Sequence, residues 1–311
     1  MNYIDKIKAY LAKRQWYKGK KAFKTRQYEK GIQHYEKALK LKPNYPEAYR
    51  SMGVCYAAWH GQYEKAIECY QKAIDLKPNY AEAYRNMGVA YSAWKWQYEK
   101  AMECFQTAVI YKPDLAEAYF NMGTVYRDWN KQFQKAIKCY KKAIDCKPDY
   151  AKAYLNMGTA YRFWKRKFEQ AVKCYEMAIE LKPDYVDAYL NLGKTYRVWN
   201  KQYEKAIEYY KKVLELNPNL AEAYYNLGKL YRVWDNQYDK AFEYFDKALK
   251  LKPDYAKLYL YMGKMYLSMG NKERGTEAIK KAADLGVKAA KDLLAENDPD
   301  AISLQDIETE D

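Results

Sequence analysis

The sequence predicts an all-α fold in which antiparallel helix pairs repeat along the chain as a solenoid. Three observations support this prediction. Proline recurs every 35 residues, glycine recurs at the same interval, and between them the apolar residues follow helical spacing. The prolines are Pro43, Pro78, Pro113, Pro148, Pro183, Pro218 and Pro253, and the glycines are Gly53, Gly88, Gly123, Gly158, Gly193, Gly228 and Gly263.

Residues 81–115 contain the repeated unit, and each half of the unit predicts one helix. The first half places four large apolar side chains and one glycine on a single face, and the second half has an apolar stripe of its own. Lys112-Pro113 ends the second helix, because proline cannot continue a helical hydrogen-bond ladder. The first face consists of Tyr84, Met87, Gly88, Tyr91 and Trp94, and the second stripe of Tyr98, Ala101, Phe105 and Ala108. Gly88 and Ala101 are small, so we predict that the two helices approach closely there.

The order of these residues resembles the tetratricopeptide repeat over roughly residues 12–289. The resemblance implies a right-handed superhelical solenoid of about eight helix pairs, whose first helices line a concave groove where peptides or helices bind. It also implies a non-enzymatic protein-interaction scaffold. The period here is 35 instead of about 34 residues. The additional residue lies between Tyr91 and Tyr98, beside Trp94.

The repeats divide the chain into consecutive segments. Residues 1–11 are predicted to form a short capping helix, because Tyr3, Ile4, Ile7 and Leu11 have helical spacing. Residues 290–296 are predicted to extend the last helix as a second cap. Residues 297–311, the acidic tail, are expected to be disordered. The eight repeats between the caps are residues 12–45, 46–80, 81–115, 116–150, 151–185, 186–220, 221–255 and 256–289.

The formal net charge is +15, although the acidic tail contains six acids and no base. The body of the chain is therefore basic, which suits acidic partners. Residues 1–30 contain ten bases and two acids, which suit either a solvated cap or a site for acidic lipid or nucleic acid. No apolar stretch approaches the length of a membrane span, and the N-terminus lacks the apolar core of a signal peptide. We therefore expect a cytoplasmic protein.

The cysteines predict neither disulfides nor a metal site. Cys69, Cys104, Cys139 and Cys174 occupy the same place in successive repeats, about 10 Å apart. A disulfide needs a shorter separation, and a column of ligands cannot surround a zinc ion. We predict small hydrophobic side chains in a reducing compartment. The sequence also lacks a histidine pair, a glycine-rich phosphate loop and a nucleophile elbow, so we expect no catalytic activity, metal or cofactor.

One face of the first helices is predicted to bind a partner. We number each repeat from its first residue, and positions 2, 5, 6, 9, 12 and 13 form what we call the groove face. Apolar residues occupy positions 5 and 13 in the later repeats: Phe120, Leu155, Leu190, Tyr225, Phe163, Val198 and Val233. The polar candidates are Asn86, Asn121, Asn156, Asn191 and Asn226 at position 6, Arg127, Arg162, Arg197 and Arg232 at position 12, and Lys194, Lys229 and Lys264 at position 9. In the second and third repeats Val54, Ala57, Val89 and Ser92 replace the bases, so the face is predicted to change from apolar to basic along the chain.

Each polar column has two interpretations. The asparagines resemble the ladder that binds peptide backbone in O-GlcNAc transferases and peroxisomal import receptors, or they bond within their own helix pair. The arginines favour carboxylate or phosphate, or they form a structural ion ladder with Glu117, Asp187 and Glu222 at position 2. The tryptophans at position 14 either fill the wider turn or form an exposed aromatic ledge.

The function predicted from these features is a scaffold that captures an acidic or extended protein segment. Two other classes stay open. A basic channel with arginines and aromatics can hold single-stranded RNA, and the chain can also associate with itself through its ends or its acidic tail.

Overall fold

The computed structural model describes residues 3–129, 131–234 and 236–295, and for Ala295 it describes the backbone alone. Over these ranges the chain forms seventeen helices and no strand, which confirms the all-α prediction. Helix contacts divide the chain into two compact units, residues 1–182 and 183–311, where the sequence predicts one continuous array. In a repeat array each repeat contacts only its neighbours, so any turn between repeats can become a division.

The first unit contains five helix pairs. In each pair the first helix is called helix A and the second helix B, and the short turn between them makes the two antiparallel. The pairs are α1 (Tyr3–Lys24) with α2 (Tyr28–Leu41), α3 (Pro46–Ala58) with α4 (Tyr63–Leu76), α5 (Ala81–Ala93) with α6 (Tyr98–Tyr111), α7 (Ala116–Asp128) with α8 (Phe133–Cys146), and α9 (Ala151–Phe163) with α10 (Phe168–Leu181).

The second unit contains three helix pairs and one further helix. Apart from α1, which has 22 residues, the helices A of both units have 13 residues and the helices B have 14, except that the last helix B of the second unit has 13. The pairs are α11 (Val186–Val198) with α12 (Tyr203–Leu216), α13 (Ala221–Val233) with α14 (Tyr238–Leu251), and α15 (Ala256–Ser268) with α16 (Lys272–Asp284), followed by α17 (Lys288–Ala295).

The N-terminal segment differs from the prediction. Residues 1–11 are not a separate capping helix, because α1 runs without a break from Tyr3 to Lys24 and includes the first helix of the first repeat. No proline or glycine interrupts the helix before Gly19, so nothing in the sequence ends it at residue 11. Ile4 is 60% exposed and Ile7 42% exposed, so these side chains do not cover the end of the first repeat.

The C-terminal cap also differs from the prediction. Residues 290–296 do not extend the last helix, because α16 ends at Asp284 and α17 begins at Lys288. Gly286 lies between them with a φ of +92°, a left-handed conformation that ends a helix. The described part of α17 nevertheless acts as a cap, since Ala290 is buried in one cluster with Leu260 of α15. The acidic tail lies outside the described residues.

A proline turn connects each repeat to the next. The amide of Tyr80 donates a hydrogen bond to the carbonyl of Lys77 at 3.0 Å, with Pro78 between them. Proline suits the second position of such a turn because its φ is fixed. The ammonium of the lysine lies over the ring of the tyrosine, an attractive cation–π contact. The distance from Nζ of the lysine to the ring centroid of the tyrosine is 4.8 Å for Lys77 and Tyr80, 4.8 Å for Lys42 and Tyr45, 5.2 Å for Lys147 and Tyr150, and 4.9 Å for Lys252 and Tyr255.

The predicted close approach of the paired helices is present at the repeated glycine. A Cβ atom added to Gly158 would lie 2.7 Å from Cε1 of Tyr175 and 3.0 Å from the carbonyl oxygen of Ala171. Tyr175 is fully buried, so its ring has little room to move. Both distances are too short for a side chain, and glycine is required. The same ring-over-glycine contact joins Gly53 to Tyr70, Gly88 to Phe105, Gly123 to Tyr140, Gly193 to Tyr210 and Gly228 to Phe245.

The additional residue of the 35-residue repeats lies in the turn between helix A and helix B. In the last repeat the amide of Asn271 donates to the carbonyl of Tyr266, five residues earlier, at 2.9 Å. In residues 81–115 the amide of Gln97 donates to the carbonyl of Tyr91, six residues earlier, at 3.2 Å. The longer turn is therefore closed by the same kind of backbone hydrogen bond, which spans one more residue.

This longer turn places two consecutive residues in the left-handed region. Lys95 has a φ of +53° and Trp96 a φ of +54°, and Lys201 in the second unit has a φ of +52°. A side chain in this region costs about 1–2 kcal/mol. In the second repeat Gly61, with a φ of +63°, avoids that cost at the second of the two positions, while His60 keeps a φ of +54° at the first. The other long turns thus carry local strain that the surrounding packing offsets.

The tryptophans at position 14 pack between repeats. Each follows the last residue of its helix A and is half-buried. The ring of Trp129 stacks on that of Tyr98, at the start of the preceding helix B, with 5.9 Å between ring centroids. Trp234 lies 6.3 Å from Tyr203 in the same arrangement. These contacts favour the structural interpretation of the column.

Replacing Gly158 with leucine is expected to destabilise the first unit. Leucine gains about 1 kcal/mol in helix propensity, but the clash with a buried ring and a backbone carbonyl costs about 3 kcal/mol. We therefore expect a net loss of about 2 kcal/mol in the free energy of unfolding, measured by urea titration with circular dichroism. Gln170→Leu, at an exposed position of α10, is the control. Equal midpoints for the two variants would contradict the close contact.

A glycine in the long turn is expected to relieve backbone strain. Lys201→Gly and Lys201→Ala remove the same side-chain atoms beyond Cβ, and alanine alone keeps the Cβ that is unfavourable at this φ. The glycine variant should be more stable than the alanine variant by about 1 kcal/mol. The same urea titration measures the difference. An alanine variant as stable as the glycine variant would show that the turn is not strained.

Candidate functional site

The asparagines of the groove face bond first within their own helices. Nδ2 of Asn156 donates to the carbonyl of Lys152, Nδ2 of Asn191 to that of Asp187, and Nδ2 of Asn226 to that of Glu222, each at 2.8 Å. These carbonyls lie four residues earlier, so each amide uses one donor on its own backbone. At these three positions the asparagine therefore bonds within its own helix pair, which is the second of the two predicted interpretations.

Position-12 arginines bond to position 6 of the next repeat. Nη1 of Arg127 donates to Oδ1 of Asn156, and Nε of Arg232 donates to the hydroxyl of Tyr261. Tyr261 occupies position 6 of the last repeat, where the preceding repeats have asparagine. Arginine and asparagine, predicted as two separate columns, therefore meet in bonds between repeats. Arg127 also binds Asp128 through two hydrogen bonds of 2.7 and 3.1 Å.

The position-9 lysines belong to a similar set of contacts in the second unit. Nζ of Lys194 lies 2.6 Å from Oε1 of Glu222, at position 2 of the next repeat. Lys229 is 3% exposed, and its Nζ lies 5.5 and 5.4 Å from the ring centroids of Tyr225 and Tyr261. Lys264 is also buried. Lys194 thus pairs with one of the position-2 acids, for which an ion ladder with the arginines was predicted, while the other two lysines are enclosed.

Position 5 does not line an open surface. Phe120, Leu155, Leu190, Tyr225 and Leu260 are all buried. In the first unit Phe120 belongs to one buried cluster with Ala153 and Met157 of the next repeat. Its ring also lies 5.2 Å from that of Tyr150, the residue before α9. Position 5 faces the neighbouring repeat, which a helical wheel of one isolated helix does not include. The assignment of these apolar residues to the groove face was wrong.

Sequence reasoning also missed two arginines at position 5. Arg50 and Arg85 stand where later repeats have apolar residues, so the second and third repeats carry bases at the position that faces the neighbouring repeat. Nε of Arg50 donates to the hydroxyl of Tyr80 at 2.8 Å. Burial and the charge of Arg50 lower the pKa of Arg85, and Glu117 opposes this shift. The signal that could have identified them is a base in an otherwise apolar column.

Asn86 and Asn121 lie in repeats that follow a repeat without a position-12 arginine. Ala57 and Ser92 occupy that position instead, so neither asparagine has an arginine from the preceding repeat. Asn86 is 7% exposed, and among the described residues its Nδ2 has no hydrogen-bond partner. Asn121 is half-buried. These two amides therefore differ in surroundings from the three that bond within their helices.

Arg162 and Arg197 are half-buried position-12 arginines, one in each unit. The guanidinium of Arg162 lies 4.4 Å from the ring centroid of Phe163, which is 45% exposed. Over the part of the chain that the structure describes, Nε of Arg162 has no hydrogen-bond partner. Arg162 thus presents an oriented guanidinium on the surface of the first unit.

Comparison with known families decides the classification. A family model described as TPR repeat matches residues 19–58, 60–93, 97–128, 130–162, 165–197 and 200–232, more than half of the chain. The chain belongs to the tetratricopeptide repeat family. A second model, described as Regulator of microtubule dynamics protein 1-3, matches residues 230–304, and this is a similarity of that stretch alone. No curated protein matches the sequence.

Solved structures share the tetratricopeptide repeat fold. A tetratricopeptide repeat protein from Parabacteroides merdae is 18% identical over 80% of this chain and 97% of its own, with a TM-score of 0.66. The APC/C hetero-tetramer Cut9-Hcn1 is 17% identical over 89% of this chain and 54% of the other, with a TM-score of 0.62. PilF of Pseudomonas aeruginosa is 20% identical over 67% and 92%, with a TM-score of 0.57. At these identities the similarity concerns the fold alone.

The six cysteines are free thiols, and five of them are buried. Burial raises the pKa of Cys104 and of Cys174 to about 12 and that of Cys139 to about 11. Within residues 3–129, 131–234 and 236–295, no three histidine, cysteine or acidic side chains come together as metal ligands would. In the same ranges no helix is both long and apolar enough to cross a bilayer.

Thiol labelling is expected to distinguish Cys146 from the other five cysteines. An accessible thiol reacts most readily, and Cys146 is the exposed one. Partial burial and the charges of Asp114 and Asp145 raise its pKa, so the reaction is run at mildly alkaline pH. Titration of the native protein with an aromatic disulfide reagent should therefore give one reactive thiol per chain. The same titration in denaturant should give six, and Cys146→Ser should remove the native reaction. Several fast thiols in the native protein would contradict the buried column.

Proposed function

We propose that this tetratricopeptide repeat protein is a non-enzymatic cytoplasmic scaffold that binds an acidic, extended protein segment on its groove face. Membership of the family supports a role in protein–protein interaction. The basic body of the chain supports the acidic character of the partner, since opposite charges accelerate and orient association. The free, largely buried thiols support a reducing compartment.

The observation that carries the proposal is the orientation of the Arg162 guanidinium. Its guanidinium is held against Phe163, and its Nε has no hydrogen-bond partner among the described residues. A planar guanidinium already oriented by an aromatic ring loses little freedom when it binds a carboxylate with two parallel hydrogen bonds. Nε itself is buried, so an aspartate or glutamate of a partner would bind the two Nη groups of this half-buried side chain.

We expect the arginines, more than the asparagines, to bind the partner. Three asparagines already use Nδ2 on the carbonyl four residues earlier, and Oδ1 of Asn156 accepts from Arg127. A ladder that pairs with peptide backbone needs both groups of each amide. Arginine has five N–H donors, so a structural bond leaves donors for a ligand. We therefore expect the protein to recognise the acidic side chains of its partner.

Charge reversal at Arg162 is expected to weaken binding of an acidic peptide. We would compare Arg162→Glu with Arg166→Glu, a change of the same charge in the exposed turn of the same repeat. Losing a charge-assisted pair and adding repulsion should reduce affinity by at least about tenfold for Arg162→Glu. Fluorescence anisotropy with a labelled peptide of alternating glutamate and alanine measures the change at moderate salt, since salt weakens such binding.

Two outcomes would contradict this assignment. Equal affinity of the two variants would mean that the net charge of the protein, and not Arg162, attracts the peptide. Tighter binding of a labelled oligouridine than of the acidic peptide, with the same loss in Arg162→Glu, would indicate that the face binds nucleic acid. Circular dichroism of both variants shows whether each one is folded.

A further inference from the structure

Helix α1 is longer than the other helices A, and its first residues project beyond the helices next to it. The other helices A have 13 residues and α1 has 22. Ala12 lies in one cluster with Tyr45 and Ala48, at the start of α3, and with Leu41, at the end of α2. Residues 3–11 therefore extend past both neighbouring helices, by about 13 Å at the usual helical rise. None of these residues is buried.

One side of this extension exposes large apolar side chains, which we call the apolar stripe. Five residues form it and fall within about one third of the helix circumference: Tyr3, Ile4, Ile7, Tyr10 and Leu11. All five are exposed, Tyr3 by 78% and Tyr10 by 68%. Ala12, the first buried residue of α1, lies about 140° from the middle of the stripe. A solvated cap has polar side chains at such positions, so the stripe favours a binding role for this segment.

Basic side chains surround the apolar stripe. Lys6 and Lys8 lie about 100° to either side of its middle, and Asp5, the single acid of α1, lies on the opposite side of the helix. Three exposed bases continue the same side farther along α1: Arg14, Lys18 and Lys21. In total α1 has eight bases and one acid. One side of α1 is therefore apolar in its first turns and basic in the following turns.

His34 of α2 shows that this positive charge is not confined to α1. Its Nδ1 lies 2.8 Å from Oε1 of Gln15, on α1. Burial lowers the pKa of His34, and the charges of Lys18 and Lys37 lower it further. Bases of both helices therefore act at the same place, and the first helix pair suits an anionic ligand.

An anionic lipid bilayer complements both parts of this surface. The interface of a bilayer accepts isoleucine and leucine side chains, and tyrosine rings suit the same depth because their hydroxyls reach water. Lysine and arginine extend their aliphatic stems so that their charges reach the lipid phosphates. A nucleic acid would contact the bases and leave the aliphatic side chains exposed. A second copy of α1 would bring eight further bases close to the first eight.

We propose that residues 3–21 bind the surface of an anionic lipid bilayer, with the apolar stripe inserted in the interface and Lys6, Lys8, Arg14 and Lys18 against lipid phosphates. The helix lies along the surface and does not cross it. The stripe is short, so binding is reversible and needs the bases as well as the apolar side chains. Anionic lipids are concentrated in the cytoplasmic leaflet, which agrees with the proposed location. The contact is independent of the proposed peptide binding, since it uses none of the groove-face residues.

Vesicle flotation of the full-length protein tests the contact. Vesicles of phosphatidylcholine with about one third phosphatidylserine should bind the protein at least about tenfold more tightly than vesicles of phosphatidylcholine alone, because each base near an anionic surface strengthens binding by about fivefold. The measurement is made at low salt, where such attraction is least screened. Failure of the native protein to float with the phosphatidylserine vesicles would overturn the proposal.

Serine substitutions test the apolar stripe. Ile4→Ser and Ile7→Ser should each weaken vesicle binding by about fivefold, because a partly exposed isoleucine loses its insertion into the interface. Ile110→Ser is the matched control, since Ile110 is 73% exposed on α6, and it should bind vesicles as the native protein does. The replaced side chains are exposed, so all three variants should unfold at the native urea midpoint. Native vesicle binding by Ile4→Ser and Ile7→Ser would contradict insertion of the stripe.

Glutamine substitutions test the bases in the same assay. Lys6→Gln combined with Lys8→Gln should weaken binding to the phosphatidylserine vesicles by at least about tenfold. Lys138→Gln combined with Lys141→Gln changes the net charge equally at exposed positions of α8, and its binding should stay close to the native value. An equal loss in the two double variants would show that the net charge of the protein attracts it to vesicles, and the assignment to α1 would be wrong.

Two further measurements exclude other occupants of the stripe. Light scattering without lipid should give the same mass for the native protein and Ile7→Ser, and a native dimer that Ile7→Ser abolishes would assign the stripe to a second copy. Labelled oligouridine should bind Ile4→Ser and the native protein equally. A loss of oligouridine binding in Ile4→Ser, with no vesicle binding by the native protein, would assign the segment to nucleic acid.

Discussion

The contact between a glycine of helix A and an aromatic ring of helix B sets the geometry of each full repeat. At Gly88 the ring of Phe105 lies where a side chain would begin, and the carbonyl of Ala101 closes the same space. Because this face of helix A is turned toward helix B, positions 6, 9 and 12 are turned away from it. Those positions meet the next repeat, so the polar contacts between repeats follow from the apolar contact within each repeat.

Polar contacts between repeats decide which groove-face residues are able to bind a ligand. Arg127 reaches Asn156, Lys194 reaches Glu222, and Arg232 reaches Tyr261. A carboxamide that bonds to its own helix and to an arginine has little capacity left. A guanidinium in the same ladder keeps several donors. The arginines therefore keep donors for the proposed ligand, while three of the five asparagines bond within their own helices.

The distribution of charge changes along the groove face of the second unit. Lys194 at position 9 is paired with Glu222 at position 2 of the next repeat. In the last repeat Lys257 occupies the position of the acid. Exposed ion pairs contribute little to stability, so such a change costs little in folding. A base in place of an acid makes the local potential more positive instead.

The sequence by itself determined the helix pairs, their turns and the glycine contact at Gly158. These features depend on patterns within about 35 residues, namely helical spacing, proline stops and a small residue at a crossing. The additional turn residue beside Trp94 was predictable for the same reason. The sequence also showed which residues share a position of the repeat, although Asn86 differs in its surroundings from Asn156, Asn191 and Asn226.

Only the tertiary structure decided which residues of these columns are exposed. Phe120 is buried by the next repeat, Asn156 is engaged by Arg127, and Arg50 lies in a column that looked apolar. The lengths of α1 and α16 likewise differ from the segments assigned by pattern alone. The physical reason is that burial and hydrogen bonding are shared with side chains about one repeat away. The periodicity of one helix shows which residues share a face, but its neighbours determine what that face contacts.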